Sequence, residues 1–191
     1  MVYDPAHDAP AGQNWAQSHR FGAQLVQRPS TVAELRELVV AGGPVRALGT
    51  RHSFTDLADT PGRLISTERF ELDLVIDPDA RTASFSAGVR YGDLATALQA
   101  KGWALHNLAS LPHITVAGAV ATGTHGSGDR NGTLSAAVAA IQFIDGTGEP
   151  VCLSRDDDAF DGAIVALAAM AVVTCITLDL EPTFDVRQDL Y

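Results

Sequence analysis

The pattern over residues 24–49 constrains the fold more than any other part of this sequence. Residues 24–28 are typical of a short strand. Thr31 is followed three residues later by Glu34, which is the spacing of a helix capping box. The helix that this predicts is followed by a second strand over residues 45–48. A strand, a helix and a strand in such close succession predict a βαβ unit with parallel strands and a right-handed crossover.

The remaining segments predict short strands separated by turns, and two further helices. The predicted strands cover residues 63–67, 72–77, 82–87, 138–145, 151–154 and 172–180, and the predicted helices cover residues 93–101 and 157–170. Successive strands joined by short turns pair in antiparallel fashion. We therefore predict an α+β fold over residues 1–191, with a βαβ lobe over about 14–70 and a larger lobe of mostly antiparallel strands with helices over about 71–185.

The charge balance argues against several classes of partner. With 13 basic and 23 acidic side chains the net charge is −10, whereas nucleic acids and anionic membranes select basic surfaces. Neither a secretory signal nor a membrane span is predicted, since the uncharged residues 162–178 are better explained by a buried helix followed by a strand. Cys152 and Cys175 lie in apolar runs and are expected to be buried free thiols. These features predict a soluble, cytoplasmic protein.

A loop with a histidine follows the second strand of the βαβ unit. Gly49 opens this loop, and His52 lies three residues further on. Ligands of sheets with parallel strands bind at the carboxyl ends of the strands, where a tight glycine turn exposes backbone N–H groups. His52 is therefore expected to face a ligand. The alternative is a turn that carries an incidental imidazole.

A second loop, residues 117–128, consists largely of small residues. Its glycines let a backbone approach a flat or anionic ligand closely, and the hydroxyls of Thr122, Thr124 and Ser127 can bind a pyrophosphate together with backbone N–H groups. Such a site needs no lysine, which suits a chain whose single lysine is Lys101. The alternative is a glycine loop that serves tight packing alone.

Common nucleotide, nucleophile and metal motifs do not account for these loops. Residues 123–128 read G-x-x-G-x-G in place of the dinucleotide-binding G-x-G-x-x-G, and no G-K-[ST] of a Walker loop occurs. His125 stands where a nucleophile elbow requires glycine. The six histidines include no H-x-x-x-H or H-E-x-x-H pair, so no metal site is predicted.

Taken together and in this order, the two loops resemble those of the vanillyl-alcohol-oxidase type flavoproteins, with PCMH-type FAD-binding domains, and in particular those of alditol and xylitol oxidases. Residues 45–54 resemble the flavin-attachment loop of that family, and residues 107–128 resemble its second flavin loop. The likeness extends to residues 14–15, 88–91 and 174–182, so it covers nearly the whole chain.

The resemblance implies a site for FAD and assigns residues to it. His52 matches the histidine that the family bonds covalently to the 8α-methyl group of FAD, and Ser110 matches a serine at the sugar-alcohol pocket. His113 is expected, like the remaining histidines, to be structural or solvent-exposed. The other positions that match the flavin loops are Ala47, Leu48, Gly49, Thr50, Arg51, Ser53, Thr115, Gly118, Ala119, Val120, Ala121, Thr122, Gly123, His125 and Val173.

The resemblance also implies a function. In this family the alcohol carbon of a polyol gives a hydride to FAD, and dioxygen then reoxidises the flavin and yields hydrogen peroxide. The charged residues that act on the polyol belong to a C-terminal substrate domain, which we expect to be absent from these 191 residues, so no catalytic residue is assigned within them. The alternatives are the FAD domain of an aldonolactone oxidase or dehydrogenase, a non-catalytic flavin-binding module, and an unrelated α+β domain whose glycine loops only pack.

One segment departs from the family pattern. Where the family shows G-x-x-G-V-V-T, this sequence has alanine at positions 168 and 171. Glycine at such positions allows a positive φ, and an alanine held in that conformation costs about 1 kcal/mol. We therefore expect strain in this segment and weaker retention of FAD.

Overall fold

The computed structural model describes residues 3–187 and residue 189, and it confirms the predicted α+β class. The helices are α1 (Val32–Val40), α2 (Tyr91–Gln99), α3 (Val116–Ala121) and α4 (Phe160–Ile164), with 3₁₀ turns at Pro5–His7 and Leu134–Ala137. The strands are β1 (Ala9–Pro10), β2 (Leu25–Gln27), β3 (Val45–Ala47), β4 (Arg63–Ile65), β5 (Val75–Asp77), β6 (Thr82–Ser86), β7 (Trp103–Ala104), β8 (Val138–Ile144), β9 (Pro150–Ser154), β10 (Val172–Asp179) and β11 (Glu181–Pro182).

A four-stranded sheet with the order β1–β2–β4–β3 contains the predicted βαβ unit. β2 and β3 both run parallel to β4, which lies between them, so α1 links two strands that are not neighbours. α1 begins with Thr31 as its N-cap, as predicted, because the Glu34 N–H donates to Thr31 Oγ1 (3.2 Å). The Glu34 carboxylate accepts from the N–H of Ser30 (2.7 Å), one residue before the N-cap. The loop that opens with Gly49 therefore leaves from the carboxyl end of a parallel strand.

A five-stranded antiparallel sheet with the order β5–β6–β10–β8–β9 forms most of the remaining structure. Residues along β10 alternate between buried and half-buried positions, as the two-residue period of a strand requires. Ile176 and Leu178 of β10 belong to the largest apolar core, which also takes in Leu94 of α2 and Val116 of α3. A short antiparallel pair, β7 with β11, completes the described sheets.

Two features join the sheets and position the cleft described below. The first is a buried cluster shared by α1, β4, β8 and β10, made of Leu35, Leu38, Val39, Ile65, Ile144 and Val172. The second is a close backbone approach, in which a Cβ added to Gly88 would overlap the carbonyl oxygen of Thr67. Only glycine fits at such a position. Together they bring the carboxyl end of β3 next to β10, and the two strands are in contact.

Most predicted elements agree with the structure to within two residues, but two were too long. The helix predicted over residues 157–170 is α4, which covers only Phe160–Ile164. Val165 leaves the helical conformation (φ −112°, ψ 51°), and Leu167 and Ala168 then adopt φ values of 53° and 56° that a right-handed helix cannot contain. The strand predicted from residue 72 begins at Val75, because Asp73 has a φ of 43° that interrupts an extended chain.

Two further expectations were wrong in detail. The glycine-rich region predicted as loop contains α3, a helix of six small and apolar residues. Cys152, expected to be buried, is exposed on the edge strand β9, while Cys175 on β10 is half-buried.

No helix in the described part of the chain combines the length and the apolar character needed to cross a membrane.

Candidate functional site

A cleft of about 300 Å³ opens where the loop after β3 meets α3 and β10. Its walls are residues 47–53, residues 117–122 around α3, the connection from α4 to β10, and apolar side chains of β8 and β10 such as Phe143 and Ile176. A second cavity of about 370 Å³ adjoins the cleft, shares residues 48–52 with it, and adds Arg90 and His113. Each volume lies in the range of about 300–1,000 Å³ that is typical of ligand pockets.

The two predicted loops meet at a pair of glycines. A Cβ added to Gly49 or to Gly118 would stand 2.8 Å from Thr115 Oγ1, so a side chain at either position would displace the threonine. Thr115 Oγ1 is buried and has no hydrogen-bond partner among the described residues. A buried hydroxyl without a partner costs about 1–3 kcal/mol. This atom therefore marks a place where the polar group of a ligand is expected.

The segment before β2 holds the loop around His52 in place. The Trp15 N–H donates to the carbonyl oxygen of Arg51 (2.8 Å), and Nδ2 of the buried Asn14 donates to the carbonyl oxygen of Ser53 (2.9 Å). Arg51 has a φ of 65°, in the left-handed region that residues other than glycine rarely adopt. These hydrogen bonds thus fix a turn that the chain would not favour by itself.

His52 lies in the wall shared by the two cavities, between two aromatic rings. Trp15 stacks on the imidazole, with ring centroids 4.9 Å apart and an angle of 26° between the planes. On the other side the Nε2 atoms of His52 and His113 are 2.9 Å apart. Partial burial, and secondly the neighbouring His113, lower the pKa of His52 from its usual value. The imidazole is therefore neutral at pH 7, the form in which histidine acts as a nucleophile.

The structure brings together most of the residues predicted to contact FAD. Those that line the cleft are Ala47, Leu48, Gly49, Thr50, Arg51, His52, Ser53, Thr115, Gly118, Ala119, Val120, Ala121, Thr122 and Val173. Gly123 turns the chain after α3 with a φ of 60°, and His125 is exposed with its Nδ1 near the carbonyl oxygen of Gly126. Gly123, His125 and the exposed Ser110 line neither cavity. The roles assigned to all these residues stay predictions.

Of the wall formed by the end of α4 and its connection to β10, the sequence pointed only to Ala168 and Ala171. The wall contributes Ala163, Ile164, Ala166, Leu167, Ala168, Met170 and Ala171. The Leu167 N–H donates to the carbonyl oxygen of Ala121 (3.1 Å), and the Leu167 carbonyl accepts from the Arg46 guanidinium (3.3 Å). Of the two alanines expected to be strained, Ala168 is in the left-handed region together with Leu167, whereas Ala171 is not. These hydrogen bonds hold the strained residues against the cleft.

His113 was expected to be structural or solvent-exposed, and the sequence contains no signal for its contact with His52. The two histidines are 61 positions apart. Backbone hydrogen bonds fix His113 from both sides, because Gly92 N–H donates to the Pro112 carbonyl (2.8 Å) and Tyr91 N–H donates to the Ile114 carbonyl (3.0 Å). The contact between His52 and His113 depends on how α2 packs against residues 112–114, so it is visible only in the folded structure.

The apolar walls of the cleft and the unpaired Thr115 hydroxyl suit a ligand with an apolar and a polar part. Comparison with known proteins agrees: a family model described as an FAD binding domain matches residues 23–154. The chain belongs to this family of PCMH-type FAD-binding domains, and FAD is its cofactor. The residues present fit FAD, because the apolar walls suit a flavin ring while the glycine pair and the Thr115 hydroxyl leave room for polar groups.

Three relatives show the range of the family. Alditol oxidase of Streptomyces sp. (strain IKD472 / FERM P-14339) is 42% identical over 93% of this chain and 44% of its own length. L-gulonolactone oxidase of Mus musculus is 31% identical over 90% of this chain and 40% of its own length. L-gulono-1,4-lactone dehydrogenase of Mycobacterium tuberculosis is 30% identical over 94% and 43%. The chain thus spans less than half the length of these relatives.

Replacement of Thr115 by valine tests whether its hydroxyl forms a hydrogen bond with FAD. Thr115→Val removes the unpaired hydroxyl at nearly constant volume, so we expect the flavin-free protein to gain about 1 kcal/mol in urea unfolding. The affinity for FAD, measured by titration, should fall about tenfold, which corresponds to one lost hydrogen bond. Thr174→Val is the control: Thr174 Oγ1 donates to the Gln142 carbonyl away from the cleft, so this variant should lose stability and keep its FAD affinity. An unchanged FAD affinity in Thr115→Val would contradict this role.

Replacement of Ala168 by glycine tests the strain in the cleft wall. Glycine adopts a φ of 56° freely, so Ala168→Gly should raise the free energy of unfolding by about 0.5–1 kcal/mol. Ala169→Gly, one position further at an ordinary φ, should lower it by a few tenths of a kcal/mol. Urea unfolding of both variants measures the difference, and equal losses in the two would show that Ala168 is not strained.

Proposed function

We propose that this chain is the FAD-binding part of an oxidase that acts on a sugar alcohol such as xylitol or sorbitol. The observation that carries the proposal is the position of His52, neutral and fixed between Trp15 and His113 in the wall of the cleft. The 42% identity to an alditol oxidase over 93% of the chain supports the choice of substrate class.

When bound, FAD would supply the redox chemistry of such an oxidase: it would accept a hydride from the alcohol carbon and pass two electrons, with two protons, to dioxygen to give hydrogen peroxide. The residues of this chain bind and orient the cofactor. Gly49 and Gly118 allow the backbone to approach it, and Thr115 Oγ1 donates or accepts one hydrogen bond. Ser110 is the residue of this chain that we assign to the polyol. The groups that bind and deprotonate the polyol are proposed to come from a C-terminal substrate domain.

We further propose that His52 is bonded covalently to the 8α-methyl group of FAD. Three features of the described residues support this. The imidazole lines the cleft, its lowered pKa keeps it neutral, and Trp15 with His113 holds its orientation. A covalent tether cannot be lost by dissociation, and it raises the electron affinity of the flavin, which favours removal of a hydride from an unactivated alcohol.

Two other functions fit the same domain. The relatives named for gulonolactone, at 31% and 30% identity, make an aldonolactone oxidase or dehydrogenase the second candidate. A flavin-binding module without turnover is the third. For location we keep the cytoplasm as the proposal, because the two cysteines are unpaired, which suits a reducing compartment.

Purification of the chain from cells supplied with excess riboflavin tests the tether. We expect a flavin absorption spectrum, and yellow fluorescence that stays with the protein band after denaturation. His52→Ala should lose the fluorescent band, while His106→Ala should keep it, because His106 lies outside the cleft and contacts Glu181. Flavin that washes out of the wild-type protein on denaturation would contradict the tether.

Peroxide formation then separates the three functions. Alditol oxidation predicts hydrogen peroxide with xylitol or sorbitol and not with gulonolactone. The reverse preference would favour the second candidate. Bound flavin that no substrate reduces, with the proposed C-terminal substrate domain present, would identify a binding module and contradict the proposed oxidase.

A further inference from the structure

The contact between His52 and His113 restricts which nitrogen of His52 can react. A neutral imidazole has one nitrogen that donates and one that accepts, so two Nε2 atoms 2.9 Å apart share one proton between them. Whether Nε2 of His52 donates or accepts, it is engaged in the hydrogen bond to His113. Trp15 covers one face of the ring, and the structure gives Nδ1 of His52 no partner among the described residues. Nδ1 is therefore the open nitrogen.

We propose that His113 is a positioning residue for the attachment of FAD: it holds Nε2 of His52 and accepts the proton that His52 must lose. The inference rests on the proposed tether to His52. It adds His113, in the segment of residues 107–128, to the residues that take part in forming the bond, beyond the position of His52 in the wall of the cleft.

The stoichiometry of attachment requires such an acceptor. The new C–N bond joins Nδ1 of His52 to the 8α carbon, and one C–H bond of the methyl group and one N–H bond of the imidazole break. The electron pair released reduces the flavin, and dioxygen then takes two electrons and two protons and becomes hydrogen peroxide. Because Nδ1 gains a bond, the proton that leaves His52 is the one on Nε2. The nearest base to that proton is Nε2 of His113.

The setting of His113 suits this transfer. Two hydrogen bonds from the start of α2 fix the backbone on either side of it, and its Nε2 lies 2.9 Å from Nε2 of His52. Its side chain is exposed, so the accepted proton passes on to water. The other charged groups that line the adjoining cavity are Arg51, Glu68 and Arg90. Neither arginine can accept a proton, and Glu68 is engaged in an ion pair with Arg28 (2.7 Å). Burial and the neighbouring imidazole lower the pKa of His52, which keeps it in the neutral form before the transfer.

The test follows the rate of covalent attachment in flavin-free protein mixed with FAD in air. Samples are denatured at intervals, and the fluorescence of the protein band reports the attached flavin. His113→Ala should slow attachment at least about tenfold, as loss of a general base does, while the non-covalent affinity for FAD stays within about threefold. Imidazole added to the buffer should restore part of the rate, because the position is exposed. His106→Ala is the matched control and should attach FAD at the wild-type rate.

A second variant separates proton transfer from orientation. Asparagine at position 113 can accept a hydrogen bond from Nε2 but cannot take its proton. His113→Asn should therefore attach FAD as slowly as His113→Ala, whereas a wild-type rate in this variant would show that His113 only orients His52 and would overturn its role as proton acceptor. Wild-type rates in both variants would overturn the role of His113 and leave the tether intact. Wild-type protein that binds FAD but never attaches it would overturn the tether, and this inference with it.

Discussion

The close approach of two backbone segments at Gly49 and Gly118 is the constraint on which the rest of the site depends. One segment leaves the carboxyl end of β3, and the other is the first part of α3, so strands and helices of both sheets must be placed before the glycines can meet. The buried cluster between α1 and β10 supplies that placement. A side chain at either glycine would push against Thr115, and the cleft would close where its polar contact is available.

The cleft concentrates features that cost free energy in the flavin-free protein. The Thr115 hydroxyl is buried without a partner, and Arg51, Leu167 and Ala168 hold left-handed conformations around the same space. Each such feature costs about 1–3 kcal/mol, in a class of molecules whose total stability is about 5–15 kcal/mol. Strain of this kind persists where the surroundings over-determine it, and it gathers at functional sites. A ligand that binds the folded chain offsets these costs, because it stabilises the native state alone.

The helices and strands that depend on local sequence patterns could be predicted. The features that depend on contacts between distant parts of the chain could not. The N-cap at Thr31 and the alternation along β10 depend on neighbours in sequence, so both could be predicted. The length of α4 could not, because packing against the cleft imposes the turn at Leu167. Within the site, the glycine loops and His52 carry a sequence pattern. His113 carries none, since its role depends on a partner 61 positions away.

Hydrogen exchange with and without FAD, followed by mass spectrometry, tests most directly whether the two loops form one flavin cradle. The cleft geometry requires that peptides covering residues 45–54 and residues 115–124 become protected together when FAD is added. The hairpin of β5 and β6, which lies outside the cleft, should exchange at the same rate in both samples. Protection of one loop without the other, or of neither, would contradict a site built from both.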